Sequence, residues 1–180
     1  MFRPLTLALM LSTLAVTGCA HSPPAGPTSA DGLLAVGTAV PDLQAVDQDG
    51  KSHHLAETRG HYTVVYFYPK DATPGCTKEA CAFRDVWQKY QEAGVLILGV
   101  SSQDQASKAA FAQEHHLTFP LLADTEHKWI DAFGVPSTLG MARRVTFLVD
   151  PDGKVAKVYR DVDPGVHALQ VLEDVTAARK

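Results

Sequence analysis

The sequence predicts an α/β fold, a mixed central β-sheet flanked by helices, and three observations carry that prediction. Tyr62-Thr63-Val64-Val65-Tyr66-Phe67-Tyr68 is an unbroken β-branched and aromatic run, the composition of a central strand buried on both faces. Strand-like and helix-like patterns then alternate, as βαβ units require. The chain closes with a turn-linked strand pair and an amphipathic segment, and no internal repeat interrupts the order.

Each element follows from local chemistry. Leu43–Val46 and Lys51–Leu55 flank Asp47-Gln48-Asp49-Gly50, which reads as a short hairpin at the edge of the domain. Pro69 ends the central strand. Phe83, Val86, Trp87 and Tyr90 recur at three- and four-residue intervals, predicting one helix from about Pro74 to Ala93, with Gly94 as its stop. Val95–Ser101 reads as a strand, Gln105–His116 as a helix, Phe119–Ala123 as a short strand and Glu126–Phe133 as a helix. Val145–Val149 is the next strand. Asp150-Pro151-Asp152-Gly153 turns the chain back through Lys154–Arg160, and Pro164 suits the first position of a closing helix whose apolar face is Leu169, Leu172 and Val175. A thioredoxin-like topology is compatible with this order.

Composition narrows the function. With 46 % hydrophobic and 20 % charged residues the chain is that of a globular domain, and a formal charge of −4 gives no basic excess for nucleic acid or anionic lipid. The N-terminus points to export. Arg3 precedes the apolar run Leu5–Val16, too short to span a bilayer as a helix but suited to a secretory signal. Val16-Thr17-Gly18-Cys19 resembles the lipobox of bacterial lipoproteins, which implies cleavage before Cys19 and lipid on its sulfur. Ala20, not an aspartate, follows, and in that resemblance implies sorting to the outer membrane on its periplasmic side. Three segments result: a signal peptide at 1–18, a tether at 19–36 rich in Pro, Ala, Ser, Thr and Gly, and a folded domain at 37–180. Loss of Arg3 with the signal leaves a mildly acidic mature chain.

The chemistry concentrates in Pro69-Lys70-Asp71-Ala72-Thr73-Pro74-Gly75-Cys76-Thr77-Lys78-Glu79-Ala80-Cys81. Cys76 falls in the first turn of the predicted helix, where unpaired backbone N–H groups and the helix dipole favour an anion. Cys81 lies five residues on, about 7.5 Å of rise and roughly 140° around the axis, so a Cys76–Cys81 bond requires the helix to unwind. A permanent disulfide would forbid the helix that the apolar spacing predicts; a cycling pair would form it when reduced and melt it when oxidised. The second reading is favoured. There is no Cys-x-x-Cys, and Cys-x4-Cys with no further Cys or His pair is a poor zinc site.

Pro69, Thr73 and Cys76 match the P-x-x-x-T-x-x-C pattern of peroxiredoxins, which this chain resembles from about Gly37 onward. Thr77–Asp85 is similar to the bacterioferritin comigratory protein (Prx Q) subfamily, whose atypical two-cysteine members carry a resolving thiol five residues after the peroxidatic one. The resemblance implies a thioredoxin-like fold and a hydroperoxide reductase of the thioredoxin-dependent type, acting on hydrogen peroxide and organic hydroperoxides without metal, haem or flavin. It implies that Cys76 is peroxidatic and becomes a sulfenic acid, that Cys81 resolves it as a disulfide, and that Pro69 shields the thiolate. Arg144, at the head of Arg144-Val145-Thr146-Phe147-Leu148-Val149-Asp150, matches the family's arginine that faces the thiol; Arg143 would point the other way. O–O cleavage needs cations and donors at the departing oxygen: a guanidinium from Arg144 can favour the Cys76 thiolate and hold the peroxide, and the Thr73 hydroxyl can donate or accept as the peroxide loses its proton. Glu79 either orients Arg144 or is a solvated first-turn acid complementing the dipole.

His53-His54 and His115-His116 complete no metal shell and read as surface residues, and Trp87 and Trp129 as core or interface aromatics. Pro136–Met141 precede the arginine and are left without a role beyond a place near the site's mouth. The partners implied are a hydroperoxide, a thioredoxin-like or other thiol reductant, and a membrane reached through the lipid; the family resemblance suggests a monomer or weak dimer. The competing functions are thiol–disulfide exchange, which predicts mixed disulfides and no peroxide consumption, and a non-catalytic redox-sensing lipoprotein.

Overall fold

The computed structural model of the protein describes residues 26–179. In chain order its elements are β1 (Gln44–Val46), β2 (Ser52–His54), a 3-10 turn (Leu55–Thr58), β3 (Tyr62–Phe67), α1 (Pro74–Asp85), α2 (Trp87–Glu92) and β4 (Val95–Ser101). There follow α3 (Gln105–His115), β5 (Leu121–Ala123), α4 (Lys128–Ala132), β6 (Ser137–Thr138), β7 (Met141–Ala142), β8 (Val145–Val149), β9 (Val155–Tyr159) and α5 (His167–Ala178).

The main sheet has the order β5-β4-β3-β8-β9, parallel from β3 to β5 and antiparallel from β3 to β9. β3 is thus the middle strand, and from Thr63 to Phe67 every residue is buried. Because side chains alternate along a strand, β3 feeds two cores. Val64, Tyr66 and Tyr68 join Phe83, Tyr90, Phe111, Phe119, Val171 and Val175 on the face covered by α1, α2, α3 and α5. Val65 and Phe67 join Leu34, Trp129, Phe133 and Phe147 on the face covered by α4. The β1–β2 hairpin pairs Ala45 with His53 beside the sheet, as its sequence predicts, and is closed by Asp47, whose carboxylate accepts the Asp49 and Lys51 N–H groups.

The structure departs from the sequence reading in several places, each with a local cause. The single helix expected over Pro74–Ala93 is two, broken at Val86 (φ −110°, ψ 10°). Its halves serve different partners: α1 packs on α5 and α2 on β4, so one straight axis would not satisfy both. The closing helix begins at His167 rather than Pro164, because Asp163 holds a turn: its Oδ1 accepts from Gly165 N–H and its carbonyl from the N–H groups of Val166 and His167. Residues 137–142 form the small β6–β7 hairpin, pinned by the Ser102 hydroxyl donating to Gly140 O at 2.6 Å. His53 is no free surface residue, since its Nε2 is 2.6 Å from Asp47 Oδ2.

The largest departure is before Gly37, where the composition reads as tether. Leu33 and Leu34 are buried in the second core, Leu34 N–H donates to Phe133 O, and Thr28 bridges to Leu34. Asp31 binds Arg160 (Oδ2 to Nε 2.5 Å). The strap passes so close to Gly134 (φ +66°) that a Cβ there would lie 2.1 Å from Gly32 O. Ordered packing therefore starts ahead of the predicted boundary, because two leucines suffice to dock a segment that otherwise lacks periodicity. Leu34→Ala is expected to cost about 2–4 kcal/mol, read from urea unfolding of the protein; a cost below about 0.5 kcal/mol would mean that the strap does not hold this position.

Candidate active site

Arg144 meets Cys76 and Glu79 near the end of β3, with Pro69 just after that strand and Thr73 at the start of α1, and the sheet topology explains why. β8 runs antiparallel to β3 with Val145 opposite Phe67, so Arg144, the residue before β8, arrives beside the end of β3 and the loop leading into α1. Neither segment could place the site alone. Pro69 is half-buried at the strand's end, and Thr73 is the N-cap of α1, extended at ψ 149°. Its carbonyl accepts the Thr77 N–H at 2.8 Å, while its hydroxyl donates to Lys70 O at 3.0 Å and keeps its lone pairs as acceptors.

Pro74 starts the helix, and Cys76 is its third residue, within the turn whose N–H groups lack intrahelical acceptors. Its side chain is buried, 2 % exposed. Arg144 Nη2 donates to the Cys76 sulfur at 3.3 Å, and Nη1 makes a short ion pair with Glu79 Oε2. The planar guanidinium fork makes this possible, with one arm on the sulfur and the other on the carboxylate. Gly75 is a participant the sequence reading leaves without a role. A Cβ on it would lie 3.2 Å from Arg144 Nη2, so a side chain there would crowd the guanidinium. The signal was the Pro74-Gly75 pair, which looks only like a helix start until Arg144 is placed over it.

Glu79 is fully buried, which rejects the reading of it as a solvated first-turn acid. Burial drives its carboxyl up to about 7, against the pull of Arg144, and its second oxygen, Oε1, has no hydrogen-bond partner among the described residues. Burial also works against the Arg144 charge, but Glu79 and the Cys76 sulfur outweigh it and hold the guanidinium above its ordinary value. Cys81 is half-buried on the next part of α1, and both cysteines are free thiols on intact helix. Arg143 is exposed and ties its backbone N–H to Pro136 O at 2.8 Å, at the base of the β6–β7 hairpin. Cys19 lies outside the described residues. Among the described residues, no group of three or more His, Cys, Asp or Glu is arranged to hold a metal ion.

The Glu79 environment makes a pH prediction. Folded Glu79 keeps its proton to about pH 7, whereas its unfolded value is 4.5. Its contribution to stability is therefore complete below pH 4.5 and is lost as pH rises through about 7, a change on the order of 3 kcal/mol. Chemical denaturation of wild type and Glu79→Gln across pH 4–8 should show the variant gaining on the wild type over this window; a difference independent of pH would contradict it.

Residues 36–158 match the family model described as AhpC/TSA. The chain is 40 % identical over 154 residues to peroxiredoxin Bcp of Bacillus subtilis, covering 79 % of this chain and 98 % of that one. It is 43 % identical over 145 residues to the chloroplastic peroxiredoxin Q of Triticum aestivum, covering 79 % and 67 %. Among solved structures, the bacterioferritin comigratory protein of Xanthomonas campestris superposes with a TM-score of 0.75 at 34 % identity, over 82 % of this chain and 98 % of that one. Peroxidoxin BcpB of Mycobacterium tuberculosis gives 0.76 at 33 %, over 82 % and 99 %. The sheet order, the thioredoxin-like architecture these structures share and the matches along the sequence lead to one conclusion: the chain belongs to the AhpC/TSA family, in its peroxiredoxin Q/Bcp subfamily.

Proposed function

We propose that the protein is a thiol-dependent peroxidase that reduces hydrogen peroxide and organic hydroperoxides at Cys76. The observation that supports this most is the Arg144 bridge, a guanidinium 3.3 Å from a buried sulfur at a helix N-terminus and fixed by a buried carboxylate. Cleaving an O–O bond builds negative charge on the departing oxygen, and donors already in place stabilise it without reorganising.

In the proposed reaction the Cys76 thiolate attacks the terminal oxygen of ROOH. The S–O bond forms, the O–O bond breaks, and the leaving oxygen takes a proton and departs as ROH or water. Cys76 is left as a sulfenic acid. Arg144 holds the peroxide oxygens and the thiolate charge, the Thr73 hydroxyl accepts a hydrogen bond from the peroxide, and Pro69 keeps bulk water from the sulfur. Glu79 orients Arg144. The Cys81 thiolate then attacks the Cys76 sulfur, water leaves, and an intramolecular disulfide forms. Since the two sulfurs sit on one helix about 7.5 Å apart along its axis, this step includes local unwinding of α1. An external dithiol of thioredoxin type then attacks the disulfide and restores both thiols.

We also propose, from Arg3, the apolar run Leu5–Val16 and Val16–Cys19, that the protein is exported and anchored by lipid on Cys19 at the periplasmic side of a bacterial membrane. That segment lies outside the described residues; metabolic labelling with a palmitate analogue, lost in Cys19→Ser, is its test.

Stopped-flow reaction of the reduced protein with hydrogen peroxide, followed by tryptophan fluorescence and thiol titre, tests the catalytic reading. The wild type should lose both thiols rapidly. Cys76→Ser should show no fast phase, and Cys81→Ser should accumulate a sulfenic acid that dimedone traps. Arg144→Gln should slow the first step by about 100- to 1,000-fold. A wild-type rate no greater than that of free cysteine would leave disulfide exchange as the better account.

A further inference from the structure

The proposed chemistry leaves one buried ionic cluster unused. Lys108, in the first turns of α3, has a fully buried side chain, and its ammonium lies 3.0 Å and 3.3 Å from the two carboxylate oxygens of Asp71. It also donates to Tyr68 OH at 3.0 Å and to the Ser101 hydroxyl, and stands 4.8 Å from the centre of the Tyr68 ring. Asp71 is held from every side, since the Tyr68 hydroxyl donates to its Oδ1 at 2.6 Å and the Ser107 hydroxyl to its Oδ2 at 2.7 Å. Its backbone N–H reaches Gln103 Oε1 at 3.2 Å.

Such a cluster needs an explanation other than stability, because a buried ion pair is often no better than well-packed apolar residues of the same volume. α3 could have seated a Leu or Met at position 108 on this core. What the cluster does is clamp one loop. Asp71 precedes Ala72, a non-glycine residue in the left-handed region at φ +56°, a conformation that persists only where its surroundings enforce it. Ala72 leads directly into Thr73, the N-cap at the start of α1. Burial lowers Lys108 from its ordinary value, and the Asp71 carboxylate opposes that shift.

We propose that Lys108 is a positioning residue for the peroxide reaction: by clamping Asp71 it sets where the Lys70–Thr73 turn places the Thr73 hydroxyl that receives the peroxide, while the Arg144–Cys76 contact is held separately, from β8. This rests on the peroxidase reading of Cys76. Misplacing reacting groups by about 1 Å costs on the order of 100-fold, so loss of the clamp should act on the rate with peroxide more than on the intrinsic reactivity of the thiol.

The experiment compares wild type, Lys108→Met, the double variant Asp71→Asn with Lys108→Met, and Ser107→Ala in the full chain. Three quantities are read: the stopped-flow rate with hydrogen peroxide, the rate of Cys76 alkylation by iodoacetamide, and urea stability. Lys108→Met should lose about 10- to 100-fold in peroxide rate while alkylation changes by less than about threefold, and should be less stable, because Asp71 is left a buried unpaired charge. The double variant removes both charges and should regain stability without regaining the peroxide rate. Ser107→Ala, which removes one donor to Asp71, should keep its fold and lose peroxide rate to a smaller degree. The proposal is overturned if peroxide rate and stability recover together in the double variant, since the pair would then serve folding alone. It is equally overturned if Lys108→Met and Ser107→Ala react within twofold of wild type, or if alkylation falls in parallel with the peroxide rate. Should Lys108→Met not fold, the double variant and Ser107→Ala decide alone. Failure of the peroxidase reading looks different: the wild type itself would then react no faster than free cysteine.

Discussion

One guanidinium organises the site. Arg144 reaches from the start of β8 across the end of β3, and its two arms meet Cys76 and Glu79, three residues apart on one face of α1. That bridge ties the first turn of the helix to the antiparallel half of the sheet, and much of the local architecture accommodates it. Gly75 leaves the approach open, Pro74 starts the helix without a wasted donor, and Val145 lies opposite Phe67 so that the arginine arrives at the right height. Glu79 is the costly part: a buried carboxyl with one oxygen unpartnered among the described residues, which burial pushes toward neutrality near physiological pH while Arg144 pulls it back. A group in that state is a sensitive support, because a small change around it alters how strongly it competes with the Cys76 sulfur for the same cation.

The helix that carries the cysteines has conflicting tasks under the proposed cycle. Attack on peroxide uses the folded N-terminus of α1, whereas resolution requires Cys81 to leave its helical position. The break at Val86 bears on this conflict. α1 ends there, and α2 is packed separately on β4 with Tyr90 buried and its hydroxyl bonded to Ala168 O at 2.7 Å. A boundary at that point allows α1 to open without dismantling the helix beyond it. Phe83, buried two residues after Cys81 and stacked on Tyr66, is the principal apolar contact that such opening would disturb.

Much of this was legible in residue order. The run Tyr62–Tyr68 could only be a buried strand, Val95–Ser101 and Val145–Val149 carried the same β-branched signature, and the spacing of Pro69, Thr73 and Cys76 singled out the loop before α1 as the candidate site. Other features were invisible for definite reasons. Helical periodicity does not register a bend that keeps Phe83 and Tyr90 on the same core, so the break at Val86 left no trace in the pattern. The strap before Gly37 has tether composition, and only the groove beside Phe133 and Gly134 gives Leu33 and Leu34 somewhere to dock. Lys108 resembles any other helical lysine until Asp71, Tyr68 and Ser101 are seen around its ammonium.

The sequence by itself determined the class of fold and singled out a candidate thiol with a small set of side chains suited to serve it, because strand composition, turn chemistry and motif spacing are local properties of the chain. Tertiary structure alone decided which charges meet. Glu79 lies 65 residues from Arg144, and Lys108 lies 37 from Asp71. Whether an acid is solvated or buried against a guanidinium depends on which strand pairs with which, and on the low-dielectric interior that this pairing creates.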